Sequence, residues 1–211
     1  MSSKNVTRDR ILLAAEREFA EHGYDGVAMR QIAACANATL SLLHYYFGSK
    51  LDLYRAVWEW RYALIKDVRS VALAAFDFDR PQNEVVRDLV ELFFRAPLQL
   101  AADPQTRPFA LLFAREAGDP KEAERGVLEM YIQPAAISLI DAFAKALPHL
   151  LREDVIMRYY FMQAMLVYFI ADASKLELLS LKSLRSDDYA AALPHAVAFA
   201  TPGWLGAPTQ R

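Results

Sequence analysis

Met29-Arg30-Gln31-Ile32-Ala33-Ala34-Cys35-Ala36-Asn37-Ala38-Thr39-Leu40-Ser41-Leu42-Leu43-His44-Tyr45-Tyr46-Phe47 holds two short apolar stripes at helical spacing, parted only by Asn37-Ala38. Met29, Ile32, Ala33 and Ala36 form the inward stripe of a helix over 29–36, and Leu43 and Phe47 that of a second over 39–47. The turn between them must be tight, and Asn is the best non-glycine choice where φ is positive. Such spacing suits a helix-turn-helix, and a generic helical hairpin shares it.

Upstream, Ile11, Leu12, Ala15 and Phe19 share one face of a helix expected from Thr7, a reasonable N-cap, to His22, with Gly23 ending it. Downstream, Ser49 caps a long helix running toward Phe76 through Leu51, Tyr54, Val57, Trp58, Leu64 and Val68. At ~1.5 Å per residue this helix reaches ~40 Å, enough to join two domains. Further breakers near Asp79 to Pro81, Asp103-Pro104, Gly118 to Pro120, Pro148 and Ser183 to Ser186 divide the chain into about nine helices. There is no two-residue hairpin signal and no strictly alternating stretch, so the fold class expected is all-α.

The string Arg8-Asp9-Arg10-Ile11-Leu12-Leu13-Ala14-Ala15-Glu16-Arg17-Glu18-Phe19-Ala20-Glu21-His22-Gly23-Tyr24, then Met29-Arg30-Gln31-Ile32-Ala33 and His44-Tyr45-Tyr46-Phe47-Gly48-Ser49-Lys50, resembles the tetracycline-repressor (TetR) family over roughly residues 7–55. The resemblance implies a helix-turn-helix DNA-binding domain (1–48), an effector-binding and dimerisation domain (49–201) and a flexible tail (202–211). It also implies a homodimer on double-stranded operator DNA, released by a small-molecule effector. Ala28 stands where the family usually has Ser or Thr, so the second helix is expected to lack a side-chain cap and one phosphate contact. Asn37 and Ala38 replace the usual Gly and Val of the turn.

Carried onto this sequence, the family's DNA contacts fall on Arg30, Thr39, Ser41, Leu42, His44, Tyr45 and Lys50, with His44, Tyr45 and Lys50 on phosphate. The outward face of the recognition helix has no Arg, Lys, Asn or Gln. Bidentate reading of guanine or adenine is therefore unavailable from it, and Leu40 and Leu42 are left to meet thymine methyls. Residues 1–50 hold six basic side chains (Lys4, Arg8, Arg10, Arg17, Arg30, Lys50) and five acidic ones (Asp9, Glu16, Glu18, Glu21, Asp25), a net of +1 and a weak electrostatic footprint. Cys35 reads as a small core-edge residue rather than a redox sensor.

The C-terminal part is rich in aromatic and methionine side chains, among which Arg115, Glu116, Gln133, Gln163, Tyr168 and Asp172 stand out as polar groups in apolar helices. Such a composition suits an apolar pocket with a few placed polar groups. The expected ligand contacts are Trp58, Tyr62, Phe109, Phe113, Glu116, Met130, Gln133, Gln163 and Tyr168, for an apolar or aromatic effector. Met157, Tyr160, Phe161, Ala164, Met165, Tyr168, Phe169 and Ala171 go round much of the helix expected over 154–179, more than one buried face can use. A two-fold partner covering 154–179 and 187–200 would take up the excess.

Composition excludes disorder: of 211 residues 55% are hydrophobic and 24% charged, with 24 Lys plus Arg against 26 Asp plus Glu. One cysteine excludes an internal disulfide, and no Cys/His cluster suggests a metal, so no cofactor is expected. The polar N-terminus and the short apolar run Tyr159 to Ala171 point to a cytoplasmic protein with no membrane span. No phosphate loop, nucleophile elbow, His-Glu-x-x-His or Glu-x-x-His is present, so no catalytic residue is expected. Two alternatives stand beside the effector-responsive regulator: a DNA-binding regulator controlled by a protein partner, and a helical interaction module that binds no DNA.

Overall fold

The computed structural model describes residues 3–208 except 172 and 186, with backbone alone for 3–5, 64–69, 173 and 174. Every regular element among them is helical: α1 (Ser3–His22), α2 (Met29–Cys35), α3 (Leu40–Phe47), α4 (Lys50–Ala74), α5 (Gln82–Ala102), α6 (Arg107–Ala117), α7 (Glu122–Arg125), a π-helical turn (Leu128–Ile132), α8 (Gln133–Ala146), α9 (Arg152–Ala171), α10 (Ala173–Leu179) and α11 (Tyr189–Leu205). None is long and apolar enough to cross a membrane.

Local chemistry explains the boundaries. Asn37 takes φ of 46°, as the turn demands. Thr39 Oγ1 accepts from the backbone N–H of Leu42 at 3.2 Å and so opens α3. Ser49 and Asp52 close a reciprocal capping box at the start of α4: the Asp52 N–H donates to Ser49 Oγ at 3.1 Å, while the Ser49 N–H and O–H donate to the Asp52 carboxylate. Those two bonds hold the Asp52 carboxyl below the usual range. Ala28 offers α2 no side chain, yet its N–H donates to Gln31 Oε1 at 2.7 Å, so half of a capping box survives.

Several boundaries differ from expectation. The first helix begins at Ser3 instead of Thr7, since nothing in 3–7 breaks it. The helix expected over 154–179 is described as α9 and α10. The tail expected to be loose from Pro202 is helical through Leu205, because Trp204 is buried, stacks on Phe143 with ring centroids 3.7 Å apart, and donates to Met162 Sδ at 3.2 Å. Leu64, Val68 and Asp172, which the sequence reading singled out, lie outside the described side chains.

Two apolar cores result. One joins Ile11, Leu12, Ala15 and Phe19 of α1, Ile32 of α2, Leu43 of α3 and Leu53, Tyr54, Val57 and Trp58 of α4 to Phe109 and Leu112 of α6 and to Val127. The other joins Val86, Leu89, Phe93 and Phe94 of α5, Leu139 and Phe143 of α8, Tyr159, Met162 and Leu166 of α9 and Trp204 of α11. The helix-turn-helix unit therefore shares its core with α6 from the rest of the chain.

Candidate nucleic-acid interface and ligand cavity

On α3, Leu43 and Phe47 point into the core while Leu40, Ser41, His44 and Tyr45 face out, Tyr45 at 71% exposure. Arg30 on α2 and Thr39 are exposed on the same unit. Leu42, expected on the reading surface, is only half-buried and half-presented, whereas Leu40 is exposed, so the helix turns Leu40 outward more than Leu42. His44 Nδ1 lies 2.6 Å from the Gly48 carbonyl at the C-terminus of α3. A carbonyl only accepts, so Nδ1 carries a proton and donates, leaving Nε2 as the ring's outward atom.

Three cations near this face are held by aromatic rings or a carbonyl. Lys50 Nζ sits 4.5 Å from the centre of the Tyr24 ring, and partial burial moves its ammonium below the usual lysine range. The Arg8 guanidinium lies over Phe47 at 5.5 Å, and Arg10 donates to the Asn37 carbonyl at 3.3 Å, pinning the turn to α1. Cys35 is exposed, and its thiol donates to Glu18 at 3.1 Å, which pushes the thiol up from its usual range.

A second site lies between α4, α5, α6, α8 and α9, where a cavity of about 190 Å³ is enclosed by mainly apolar walls. Tyr62, Phe109, Phe113 and Gln163, all expected as ligand contacts, line it. Phe93, Pro97, Leu100, Tyr159 and Leu166 line it too, without having been singled out as contacts. One signal for them was available: Pro97 in the middle of α5 lacks the N–H that would close on Phe93, an irregularity set among aromatic residues. Ser70, Pro134 and Ser138 are the exposed members of the wall and mark its mouth between α4 and α8.

Five expected contacts fall elsewhere. Trp58 is wholly buried behind the wall, edge-on to Phe109 with centroids 5.3 Å apart. Met130 is 51% exposed on the π-helical turn, and Gln133 is exposed at the start of α8. Tyr168 faces outward on α9, where its hydroxyl accepts from Lys175 Nζ at 3.2 Å. Glu116 is buried in an ion pair with Arg125, at 2.8 Å, and accepts from the Tyr54 hydroxyl at 2.7 Å. Burial, then the Glu116 carboxylate, drives the Tyr54 hydroxyl far above its usual range, so it stays a donor.

That pair belongs to a set of ties between α6 and the helix-turn-helix unit. Arg115, also expected among the pocket's polar groups, instead reaches the last turn of α1, where it donates to the carbonyls of Ala20 and Glu21 at 3.2 and 3.1 Å. These are carbonyls that α1 itself leaves unpaired, and a cation there also suits the helix dipole. Gly23, at φ of 75°, follows directly, and a Cβ there would meet Arg115 Cδ at 3.4 Å. Arg61 of α4 pairs with buried Glu16 of α1, through Nη2 at 2.8 Å, and donates to the Gln105 carbonyl before α6 at 2.9 Å. Burial pushes the Glu16 carboxyl up from its usual range, and Arg61 opposes this only in part.

Residues 11–57 match the family model described as bacterial regulatory proteins, tetR family, and residues 91–203 match the tetracyclin repressor-like C-terminal domain. The HTH-type transcriptional dual regulator CecR of Shigella flexneri is 30% identical over 131 residues, 60% of this chain and 58% of that protein. The HTH-type transcriptional repressor NicS of Pseudomonas putida is 33% identical over 92 residues, 43% of each. The chain thus spans about half the length of these curated relatives. Among solved structures, FadR of Bacillus subtilis in complex with stearoyl-CoA superposes with a TM-score of 0.60 at 14% identity, over 92% of this chain and 98% of that one, a likeness of fold.

Proposed function

The chain belongs to the TetR family of DNA-binding transcriptional regulators, and from that membership we propose that it is a repressor released from a palindromic operator when a small apolar or aromatic molecule fills the cavity. One observation carries this reading: α6 contributes Phe109 and Phe113 to the cavity wall and, from its last turn, Arg115 and Glu116 to α1 and α4. A ligand that repositions the wall acts on the helix that holds the reading unit. It changes DNA affinity only by its differential affinity for two arrangements of the protein. An acyl-CoA is what the FadR structure holds; here the cavity's walls support an apolar or aromatic body.

The active form in this reading is a C2 homodimer through residues 154–179 and 187–200, which take in most of α9, α10 and most of α11. Met157, Tyr160, Phe161 and Tyr168 are exposed at helical spacing along α9, and Phe199 is exposed on α11. A symmetric partner would bury them. Two reading units then call for half-sites centred roughly 34–36 Å apart, or a multiple of that.

Selection of bound DNA from a random library tests the reading. A two-fold symmetric consensus whose complex dissociates with a ligand found by thermal-shift screening supports it. An asymmetric or featureless pool contradicts it.

A further inference from the structure

Lys121 is held as surface lysines often are: its ammonium meets the Asp25 carboxylate at 3.0 Å. Lys50 is held differently. Its Nζ lies 4.5 Å from the centre of the Tyr24 ring, and it makes no hydrogen bond or ion pair with any described residue. Every Asp and Glu in the first 60 residues is described, and the one that attracts Lys50, Asp25, is already engaged by Lys121. A carboxylate partner would take up ammonium donors and cancel the charge. An aromatic face attracts the cation and leaves its three N–H donors for an incoming acceptor.

The ring is itself fixed from several sides. Tyr24 follows Gly23, whose φ of 75° turns the chain out of α1. It meets the Tyr54 ring of α4 edge-on, with centroids 5.0 Å apart, and stacks on Phe19 at 6.1 Å. The Arg125 guanidinium lies 5.3 Å from its centre and is held in turn by Glu116. The Tyr24 hydroxyl makes no hydrogen bond to any described residue, and burial moves it above its usual range. What Lys50 meets is therefore the π face of a neutral phenol.

A lysine that reaches a phosphate gives up rotamer freedom. Where a fixed ring already holds the ammonium, part of that loss has occurred in the free protein. Lys50 opens α4 directly after α3, so this seat lies on the unit that turns Ser41, His44 and Tyr45 outward. We propose that Tyr24 is a positioning residue for DNA binding, whose ring holds the unpaired Lys50 ammonium where it meets a backbone phosphate. This rests on reading Lys50 as a phosphate contact of the reading unit.

Fluorescence anisotropy with the selected operator and with an unrelated duplex, over a series of salt concentrations, tests it through a double-mutant cycle. Tyr24→Phe keeps the π face and should leave both affinities within about twofold. Tyr24→Leu should weaken both duplexes alike, by about threefold to tenfold. In the Lys50→Ala background the same substitution should weaken them by less than about twofold. An unchanged or tighter affinity in Tyr24→Leu overturns the inference, and so does an equal loss with and without Lys50, which marks a packing role alone. Where Tyr24→Leu shows no cooperative melting, the unsubstituted protein decides by NMR. The Lys50 ε-methylene protons should be shifted upfield by the ring both in the free protein and on the operator, and loss of that shift in the complex overturns the inference. If Lys50→Ala alone leaves affinity and salt slope unchanged, the phosphate contact and this inference fall together, while a symmetric selected consensus still upholds the regulator reading.

Discussion

In the proposed reading Leu40, Ser41 and Leu42, in the first turn of α3 with no long polar side chain among them, leave base discrimination to methyl contacts and one hydroxyl. Because Leu40 is the more exposed leucine, Leu40→Ala should relax the selected consensus at an A·T position by roughly 1 kcal/mol, and Leu42→Ala by less. Lys50→Ala should instead weaken all sequences alike and lower the salt slope by about one. Library selection and salt titration check both, and a changed consensus in Lys50→Ala would reverse the assignment. Cys35 gives a second test. Glu18 holds its proton, so iodoacetamide should modify this exposed thiol more slowly than a free cysteine, and Glu18→Ala should speed the reaction. The turn at Asn37 and the cap at Ser49 were legible in the sequence because their causes are local. The order of Leu40 and Leu42 was not, since it depends on how α3 is rotated against α1 and α4.

Helix α6 shows why polar residues in apolar helices are ambiguous when read from sequence. Arg115 and Glu116 have the same signature whether they face a cavity or a distant chain segment, and their partners, Ala20 and Tyr54, lie 95 and 62 residues away. Phe109 and Phe113, earlier on the same helix, do line the cavity. The helix and its apolar face were therefore readable, and its polar ties were not. Arg115→Met should leave ligand binding intact while the ligand's effect on operator affinity falls to within about threefold of none, from the roughly 5–150-fold usual for coupled sites. The Glu16–Arg61 tie has a sharper signature. Arg61→Met strands a buried carboxylate and should cost about 3–5 kcal/mol at neutral pH. A carboxyl whose folded pKa is raised adds stability below its unfolded pKa and loses it as pH rises through the folded value. The deficit of Arg61→Met, followed by urea unfolding, should accordingly shrink as pH falls through the carboxylate range and grow above it. A deficit independent of pH would mean that Glu16 stays solvated.

For the molecule as a whole, the two cores divide the labour unevenly. The core under the reading unit includes Phe109, Leu112 and Val127, so the unit is packed onto the rest of the chain and not merely tethered to it. Excess apolar side chains on α9 were visible as a pattern too wide for one buried face, and the exposed stripe along that helix keeps the two-fold proposal open to test. Tyr160→Glu with Phe161→Glu should convert a dimer to monomers at micromolar concentration in light scattering and abolish binding to the full palindrome; a monomeric unsubstituted protein would contradict the proposal. The link between cavity and operator is tested most directly by calorimetric titration of a cavity ligand into the free protein and into its operator complex. Because coupling is reciprocal, the ligand should bind the complex more weakly by the factor by which it weakens operator binding. Equal affinities in the two titrations would leave the ligand in a site with no hold on DNA.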